Sequence, residues 1–392
     1  MNIESTTFAP GTAPDVETPA APASPRPVKQ VSYAVVGLGH IAQVAVLPGF
    51  AQAKNSRLAA LVSGDAEKLR QLGRKYRVER TYGYDGFDDC LADPGIDAVY
   101  IALPNDLHFD YVLRAAAAGK HILCEKPLAL TAREAQRMIR AAADHGVKLM
   151  IAYRLHFEAA TLGTIELVKS GKLGEPRYFS STFSYQVEDP DNIRLQYARG
   201  GGPVYDIGTY CINAARNLMQ EEPIEVTAML ARTKDKRFDE VEETAAAILR
   251  FPRGRLASFT VSFGAAEASR FELVGTKGRV VCEPAYEYSE GLKQTVTIEG
   301  ETEEKSFPKQ DQFGAEIEAF SESVLKKRKL EPTGLEGLAD LRVIDALFES
   351  DARGRAIRLA PFDKQPRPSR AQVKRKPGVR KPKTVKVDSP HD

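Results

Sequence analysis

Short apolar runs alternate with amphipathic stretches through the first 155 residues of the chain. The apolar, β-favouring runs lie at 33–36, 57–62, 98–103, 121–124 and 148–152, and stretches with helical spacing lie between them at 41–52, 66–76, 107–118 and 132–145. Thr131 and Glu134 form a capping-box pattern, which predicts the start of the last of these helices. Strands that alternate with helices of this length predict an α/β fold with a doubly wound parallel sheet.

The pattern changes after about residue 155. A helical stretch at 158–170 is followed by strand-like runs at 177–187, 224–233, 244–250, 255–263, 269–274, 278–282 and 295–299, and helical stretches near 315–328 and 333–353 close the body. Because few helices separate these runs, they predict a C-terminal α+β domain with a large open, mostly antiparallel sheet.

The two ends of the chain differ from this body. Residues 1–30 are rich in Pro and Ala and poor in large apolar side chains, which predicts a flexible arm. Residues 364–392 contain ten Lys/Arg and two Asp, a net +8, so the total of +2 leaves the other 363 residues at −6. A basic tail of this kind binds nucleic acid or anionic surfaces by counterion release, but a solvated, disordered tail is the favoured interpretation.

Composition excludes several classes of protein. The four cysteines lie far apart without a C-x-x-C pair, and the six histidines form no H-E-x-x-H, so neither a disulfide framework nor a metal site is expected. The uncharged stretch 30–53 has the length of a membrane span. Its glycines, glutamines and proline fit a strand followed by a helix better than they fit a membrane span. Because we recognise no export signal, we expect a cytoplasmic protein.

A glycine-rich turn follows the first predicted strand. Gly37 permits a tight turn, Gly39 lets the backbone approach a pyrophosphate, and Ala42 stands where a small residue packs helix against strand. The helix that begins there presents free N–H groups to the phosphates. The sequence therefore predicts a dinucleotide site formed by Gly37, Leu38, Gly39, His40 and Ile41.

The end of the second strand indicates which dinucleotide is bound. An acidic side chain there would bind the ribose of NAD and repel a 2′-phosphate, but Ser63 takes that position. Ser63 can donate to a phosphate, and Lys68 or Arg70 on the next helix can neutralise it, so NADP is favoured. Asp65 is the alternative, because it would serve NAD if the strand ended two residues later.

Further candidates stand at the carboxyl ends of the next strands, where ligands bind in open α/β sheets. Leu103, Pro104, Asn105 and His108 follow the third apolar strand and are expected beside the nicotinamide-ribose. The alternative for these residues is an ordinary turn and helix cap.

A charged pair, Glu125 and Lys126, ends the fourth strand, where burial is costly unless the charges are used. Tyr210 is a plausible partner for Lys126, since a phenol titrates near 10 and needs a neighbouring ammonium to act as a base near neutrality. Asp206 would share a helical face with Tyr210. The triple glycine at 200–202 suggests close backbone approach or a mobile lid.

Three of these motifs together carry a resemblance. The run Cys124-Glu125-Lys126-Pro127, the run YRLHFE from Tyr153 to Glu158, and the run GGGPVYDIGTYCIN ending at Asn213 occur in this order. Over about Val31 to Arg358 the chain resembles the Gfo/Idh/MocA oxidoreductase family. Where many members carry a histidine base, this chain has Tyr210, as in the branch of glucose–fructose oxidoreductase and of the NADP-using dihydrodiol and xylose dehydrogenases.

The resemblance implies a Rossmann domain at 31–155 and a substrate and oligomerisation domain at 156–363, with the Lys126–Pro127 peptide often cis. It implies NADP as the cofactor and a sugar as the substrate. It also implies a homo-oligomer that does not associate with a membrane. Tyr210, assisted by Lys126, would take a proton from the sugar while Asp206 orients it. Tyr153, Arg154 and His156 are the further candidates for sugar hydroxyls, and Arg154 also for the cofactor.

Three functions stay open. The first is a sugar oxidoreductase that retains NADP and uses a second sugar as acceptor. The second is an NADP-dependent aldose or dihydrodiol dehydrogenase whose cofactor exchanges. The third is an NADPH-sensing regulatory protein whose basic tail contacts nucleic acid, which the presence of a lysine and tyrosine suited to proton transfer argues against.

Overall fold

The computed structural model describes residues 30–329 and 331–387 of the chain. Its first sheet has the strands β1 (Val31–Val36), β2 (Ser56–Val62), β3 (Arg80–Tyr82), β4 (Ala98–Ile101), β5 (His121–Glu125) and β6 (Leu149–Ala152). All pairs are parallel, in the order β3-β2-β1-β4-β5-β6. This doubly wound sheet confirms the prediction for the N-terminal part, although the short strand β3 was not foreseen.

Helices connect these strands. They are a π-helical segment (Ala42–Val46) that continues into α1 (Leu47–Gly49), then α2 (Ala66–Tyr76), α3 (Phe87–Ala92), a 3₁₀ turn (Asn105–Leu107), α4 (His108–Ala117) and α5 (Ala132–Asp144). Residues 30–53 thus form a strand and a helix, as predicted. Within the described ranges, we find no helix with both the length and the apolar character needed to cross a membrane.

The second sheet has nine strands. They are β7 (Pro176–Ser184), β8 (Glu225–Ala231), β9 (Thr244–Phe251), β10 (Arg255–Ser262), β11 (Ala268–Gly275), β12 (Gly278–Cys282), β13 (Leu292–Ile298), β14 (Glu301–Phe307) and β15 (Ile357–Arg358). Their order is β14-β13-β12-β11-β7-β10-β9-β8-β15. Only β7 and β10 pair in parallel, so the predicted, mostly antiparallel sheet is confirmed.

The helices of this part are a 3₁₀ turn (Arg154–Phe157), α6 (Ala159–Lys169), a π-helical segment (Val204–Gly208), α7 (Thr209–Met219), α8 (Gln312–Leu325) and α9 (Gly334–Arg353). Short 3₁₀ turns occupy Ile193–Leu195, Tyr197–Arg199, Lys236–Phe238, Pro252–Gly254 and Arg370–Gln372. The edge strand β14 was missed because six of its seven residues are exposed and four are charged, which hides the alternation typical of a strand.

Helix α8 does not follow the expected domain boundary. Its residues Phe313, Ile317 and Phe320 pack in one apolar cluster with strand β1 of the first sheet. The Tyr33 hydroxyl also lies 2.6 Å from the Ser321 hydroxyl. A parallel sheet must be covered on both faces, and the short α1 leaves room that α8 fills. A boundary at residue 155 therefore does not describe this helix.

The prediction of a disordered basic tail is wrong for residues 364–387. Lys364 is buried and forms ion pairs with Glu331 and Glu336. Farther along, the Lys374 ammonium donates to Glu322 over 3.0 Å. Charge runs are usually solvated, but here the body is acidic and supplies carboxylates along the path of the tail. The flexible arm predicted for 1–30 lies outside the described residues except for Gln30, as do residues 388–392.

Candidate active site

The glycine turn after β1 has the shape that a dinucleotide needs. Gly37 has φ of +92°, and its N–H donates to the Val62 carbonyl over 2.9 Å. A Cβ on Gly37 would collide with the Ala102 backbone, whereas a Cβ on Gly39 would meet no atom within 4 Å. The open space at Gly39, at the start of the helical segment, is where a phosphate can approach the backbone.

At the end of β2, Ser63 and Asp65 have different surroundings. The Ser63 hydroxyl is buried and accepts from the Asp65 N–H over 3.2 Å. The carboxylate of Asp65 caps α2 by accepting from the N–H groups of Glu67 and Lys68, at 2.8 and 3.0 Å. Its other oxygen lies 3.2 Å from the ammonium of Lys386, near the end of the described chain. These contacts engage Asp65 and support the interpretation that assigns the cofactor ribose to Ser63.

His108, predicted beside the cofactor, is wholly buried and joins two strand-end loops. Its Nδ1 lies 2.9 Å from the Pro127 carbonyl and its Nε2 lies 3.0 Å from the Leu103 carbonyl. Burial lowers its pKa, and in the neutral form the ring can donate to only one of the two carbonyls. These contacts give His108 a positioning role between the two loops. Asn105 donates to the Gly200 carbonyl over 2.9 Å and so reaches the triple-glycine segment.

That segment shows close backbone approach. Gly200 and Gly202 have φ of +71° and +102°, and a Cβ on Gly202 would lie 2.5 Å from the Glu242 carboxylate. The N–H of Val204 donates to the same carboxylate over 3.1 Å. Of the two interpretations of the triple glycine, tight packing is the one these contacts favour.

The centre of the site is the pair of Lys126 and Asp206. The Lys126 ammonium lies 2.7 Å from Oδ1 of Asp206 and donates to its carbonyl over 2.8 Å. The second oxygen, Oδ2, accepts from the Tyr185 hydroxyl over 2.9 Å and from Nε of Arg194 over 2.8 Å. Both oxygens of Asp206 accept from protein groups, so these contacts favour a role for Asp206 in positioning Lys126. Its assignment to orient a sugar stays a prediction.

Burial and charge oppose each other in this pair. Burial alone would lower the pKa of Lys126, but the neighbouring Asp206 outweighs it and raises that pKa. Burial would raise the pKa of Asp206, but Lys126 and Arg194 hold it well below its usual range. Lys126 is therefore an ammonium, and Asp206 a carboxylate, at neutral pH.

Two cations lie close to the ring of Tyr210. Its ring centre is 5.0 Å from the Lys126 ammonium and 5.0 Å from the Arg154 guanidinium. Asp206 stands in the π-helical turn just before α7 and Tyr210 in the first turn of α7, so both face Lys126. The Arg154 guanidinium is held by the Tyr286 carbonyl, to which it donates over 2.5 Å, and by the side chain of Gln312. The predicted trio of Lys126, Asp206 and Tyr210 is thus brought together, and the Arg154 guanidinium also lies close to the Tyr210 ring.

Tyr153 and His156 are directed elsewhere. The Tyr153 hydroxyl donates to Asp340, and Nε2 of His156 lies 2.9 Å from the Asn213 amide oxygen. Both residues are only 2% exposed and belong to a buried polar cluster that also contains Arg216. Their assignment as sugar ligands stays a prediction, and these contacts favour a structural role.

The carboxyl group of Glu125 is buried and contacts Tyr100. The Tyr100 hydroxyl lies 2.8 Å from Glu125 and 2.9 Å from Glu316, and it can donate to only one of them. Burial raises the pKa of both carboxyl groups. We expect one of them to carry a proton, and the predicted role of Glu125 at the cofactor stays a prediction.

Sequence reasoning missed Tyr185, Arg194, Tyr286 and Tyr288. Tyr185 and Arg194 contact Asp206, and Tyr288 lies 5.1 Å from the Arg154 guanidinium. They come from segments remote in sequence, and no motif marked them. Across the described ranges, no group of three or more histidine, cysteine or acidic side chains is arranged to hold a metal ion.

Two family models match the chain. The model described as "Oxidoreductase family, NAD-binding Rossmann fold" matches residues 31–153, and that described as "GFO/IDH/MocA C-terminal domain" matches residues 161–281. A D-xylose 1-dehydrogenase (NADP(+)) of Haloarcula marismortui is 33% identical over 335 residues, which cover 84% of this chain and 93% of that protein. The chain belongs to the Gfo/Idh/MocA oxidoreductase family. The expected membership is confirmed.

Solved structures of other sugar enzymes share this Gfo/Idh/MocA architecture. An aldose-aldose oxidoreductase from Caulobacter crescentus, complexed with glycerol, is 38% identical with a TM-score of 0.81, covering 84% of this chain and 100% of that one. A 3-ketoreductase from Actinomadura kijaniata, in complex with NADP and TDP-benzene, is 26% identical with a TM-score of 0.75, covering 82% and 98%. As expected of the family, the Lys126–Pro127 peptide is cis.

Proposed function

We propose that this protein is an NADP-dependent sugar oxidoreductase that oxidises the anomeric carbon of a cyclic aldose to a lactone. The observation that carries the proposal is the position of Tyr210, close to both Lys126 and Arg154, at the carboxyl edge of the dinucleotide-binding sheet. The phenolate form of a tyrosine, held beside two fixed cations, can accept a proton from an alcohol.

The residues at the sheet edge fit NADP. The open turn from Gly37 to Ile41 would hold the pyrophosphate, and Ser63 with Lys68 would hold the 2′-phosphate of the ribose. NADP supplies the hydride acceptor when it is bound. Two similar proteins support this cofactor, since the D-xylose dehydrogenase is named for NADP and the 3-ketoreductase was solved with it.

The side chains of this chain handle the proton. Tyr210 takes the proton of the anomeric hydroxyl while the C–H bond at the same carbon breaks and its electron pair leaves with the hydride, so that a C=O bond forms. Tyr210 acts as a base in its phenolate form, and the cations Lys126 and Arg154 stabilise the negative charge of that phenolate before it takes the proton. Asp206 keeps Lys126 in place and protonated.

We further propose that NADP stays bound and that a second sugar takes the hydride back, in a ping-pong cycle. The likeness to an aldose-aldose oxidoreductase favours this variant. The second candidate, a dehydrogenase with exchanging NADP and a pentose such as xylose as substrate, is favoured by the likeness to the D-xylose dehydrogenase.

The test begins with protein purified without added nucleotide. Denaturing it and assaying the supernatant for NADP(H) distinguishes a retained cofactor, released in stoichiometric amount, from an exchanging one. The Tyr210→Phe variant should then lower turnover by ~10²–10⁴-fold, as is typical for loss of an acid/base group, with unchanged NADP affinity. Near-normal turnover of this variant would remove Tyr210 from the mechanism.

A further inference from the structure

The C-terminal segment ends on the dinucleotide-binding domain. We define residues 383–387 as the C-terminal strap. Its Val385 packs against the apolar cluster that contains β1 and α8. The Lys383 carbonyl accepts from the Lys75 ammonium of α2 over 3.0 Å. The strap therefore packs against the dinucleotide-binding domain beside α2.

A buried glutamine fixes the strap to the glycine turn. The Gln43 side chain is 1% exposed and bonds Val385 twice, as acceptor from its N–H at 2.7 Å and as donor to its carbonyl at 3.0 Å. The same amide also donates to the Leu38 carbonyl, inside the glycine turn, over 2.9 Å. One amide thus links the turn expected to bind the pyrophosphate to the strap.

This attachment brings a cation to the end of β2. The Lys386 ammonium lies 3.2 Å from Oδ2 of Asp65, whose N–H donates to Ser63. The Lys386 side chain is 60% exposed, so the pair adds little to stability, but its ammonium has hydrogen-bonding capacity left for a ligand.

We infer that the strap completes the 2′-phosphate pocket, and that Lys386 makes the site selective for NADP over NAD. An unpaired Asp65 next to Ser63 would repel the dianionic 2′-phosphate and would suit the free ribose hydroxyl of NAD. Lys386 neutralises that carboxylate and adds a positive charge for the phosphate. The inference rests on the proposed function only in that NADP is the cofactor.

The test is the affinity of the full-length protein for NADP and for NAD, measured by titration calorimetry on nucleotide-free protein. Loss of one charge-assisted phosphate contact corresponds to about a 10-fold weakening. Lys386→Ala should weaken NADP binding by about that factor and leave NAD binding equal or tighter. Lys381→Ala, which removes the same charge from an exposed residue of the same segment, is the matched control and should change neither.

A second variant tests the role of Asp65. Asparagine caps a helix as well as aspartate does, so Asp65→Asn leaves α2 intact. Added to Lys386→Ala, it should recover part of the lost NADP affinity, because the repelling charge is gone. Equal weakening of NADP and NAD by Lys386→Ala, or an effect equal to that of Lys381→Ala, would overturn the inference. Failure of the unaltered protein to bind either nucleotide would instead refute the proposed function.

Discussion

Replacing Asp206 by asparagine is the sharpest test of the site. The change removes the negative charge between Lys126 and Arg194 but keeps the size of the side chain and one oxygen acceptor. The Lys126 and Asp206 side chains are 12% and 20% exposed, so the pair is only weakly screened by solvent. The variant should therefore report directly on the charge of Asp206.

The size of the effect follows from the geometry. Two unit charges 4 Å apart attract by about 4 kcal/mol at an effective dielectric constant near 20, and Lys126 and Asp206 are closer, at 2.7 Å. Removing one partner of a buried pair costs about 3–5 kcal/mol. Because asparagine keeps an acceptor, we expect the free energy of unfolding to fall by about 2–3 kcal/mol.

The kinetic signature is a pH shift. Without Asp206, burial acts on Lys126 with less opposition and lowers its pKa, so the alkaline limb of kcat/KM should move to lower pH. Displacement of Lys126 from Tyr210 should also lower kcat by ~10²-fold.

Asp206 also makes the stability of the protein depend on pH in the acid range. Because folding lowers the pKa of Asp206, its carboxylate stabilises the folded state at pH values above its unfolded pKa, near 3.9. This contribution is lost as the pH falls further. The variant should therefore unfold less steeply in acid.

The assay compares pH–rate profiles and urea unfolding for Asp206→Asn with those of Tyr185→Phe. The latter removes one neutral hydroxyl from Asp206 and leaves every charge in place, so its alkaline limb should stay where it is. An unchanged alkaline limb and unchanged stability in Asp206→Asn would refute the reasoning.

Two further predictions follow from the glycine turn and from the buried cluster. The Gly39→Ala variant should have wild-type stability but bind NADP weakly in calorimetry. The Gly37→Ala variant should be strongly destabilised, because only at Gly37 would the added Cβ collide with the backbone. Equal stability of the two variants would contradict this prediction. Burial lowers the pKa of His156 to about 4. As the pH drops, His156 is therefore protonated in the unfolded chain before it is protonated in the folded protein, and the free energy of unfolding falls between about pH 6.5 and 4. In the His156→Gln variant, the fall in the free energy of unfolding over this pH range should be smaller by up to about 3 kcal/mol, as measured by urea titrations at several pH values. An unchanged pH dependence of the free energy of unfolding would contradict the prediction.

The local patterns of the sequence determined much of this protein. Continuous apolar runs separated by amphipathic stretches predicted the parallel sheet, and strand-like runs with few helices between them predicted most of the second sheet. Gly37 and Gly39 indicated a dinucleotide turn, because a tight backbone turn and the close approach of a phosphate both restrict the residue type to glycine. Lys126 and Tyr210 could be selected because their motifs stand at strand ends and helix starts.

Contacts between remote segments were decided only by the tertiary structure. Nothing local marks α8 as a cover for the first sheet, or Tyr185 and Arg194 as partners of Asp206. The tail shows this most clearly. Its composition is that of a solvated segment, yet its cations meet carboxylates on the body and Gln43 holds Val385. Such pairings depend on where distant carboxylates and a buried amide come to lie, and that information exists only once the chain is folded.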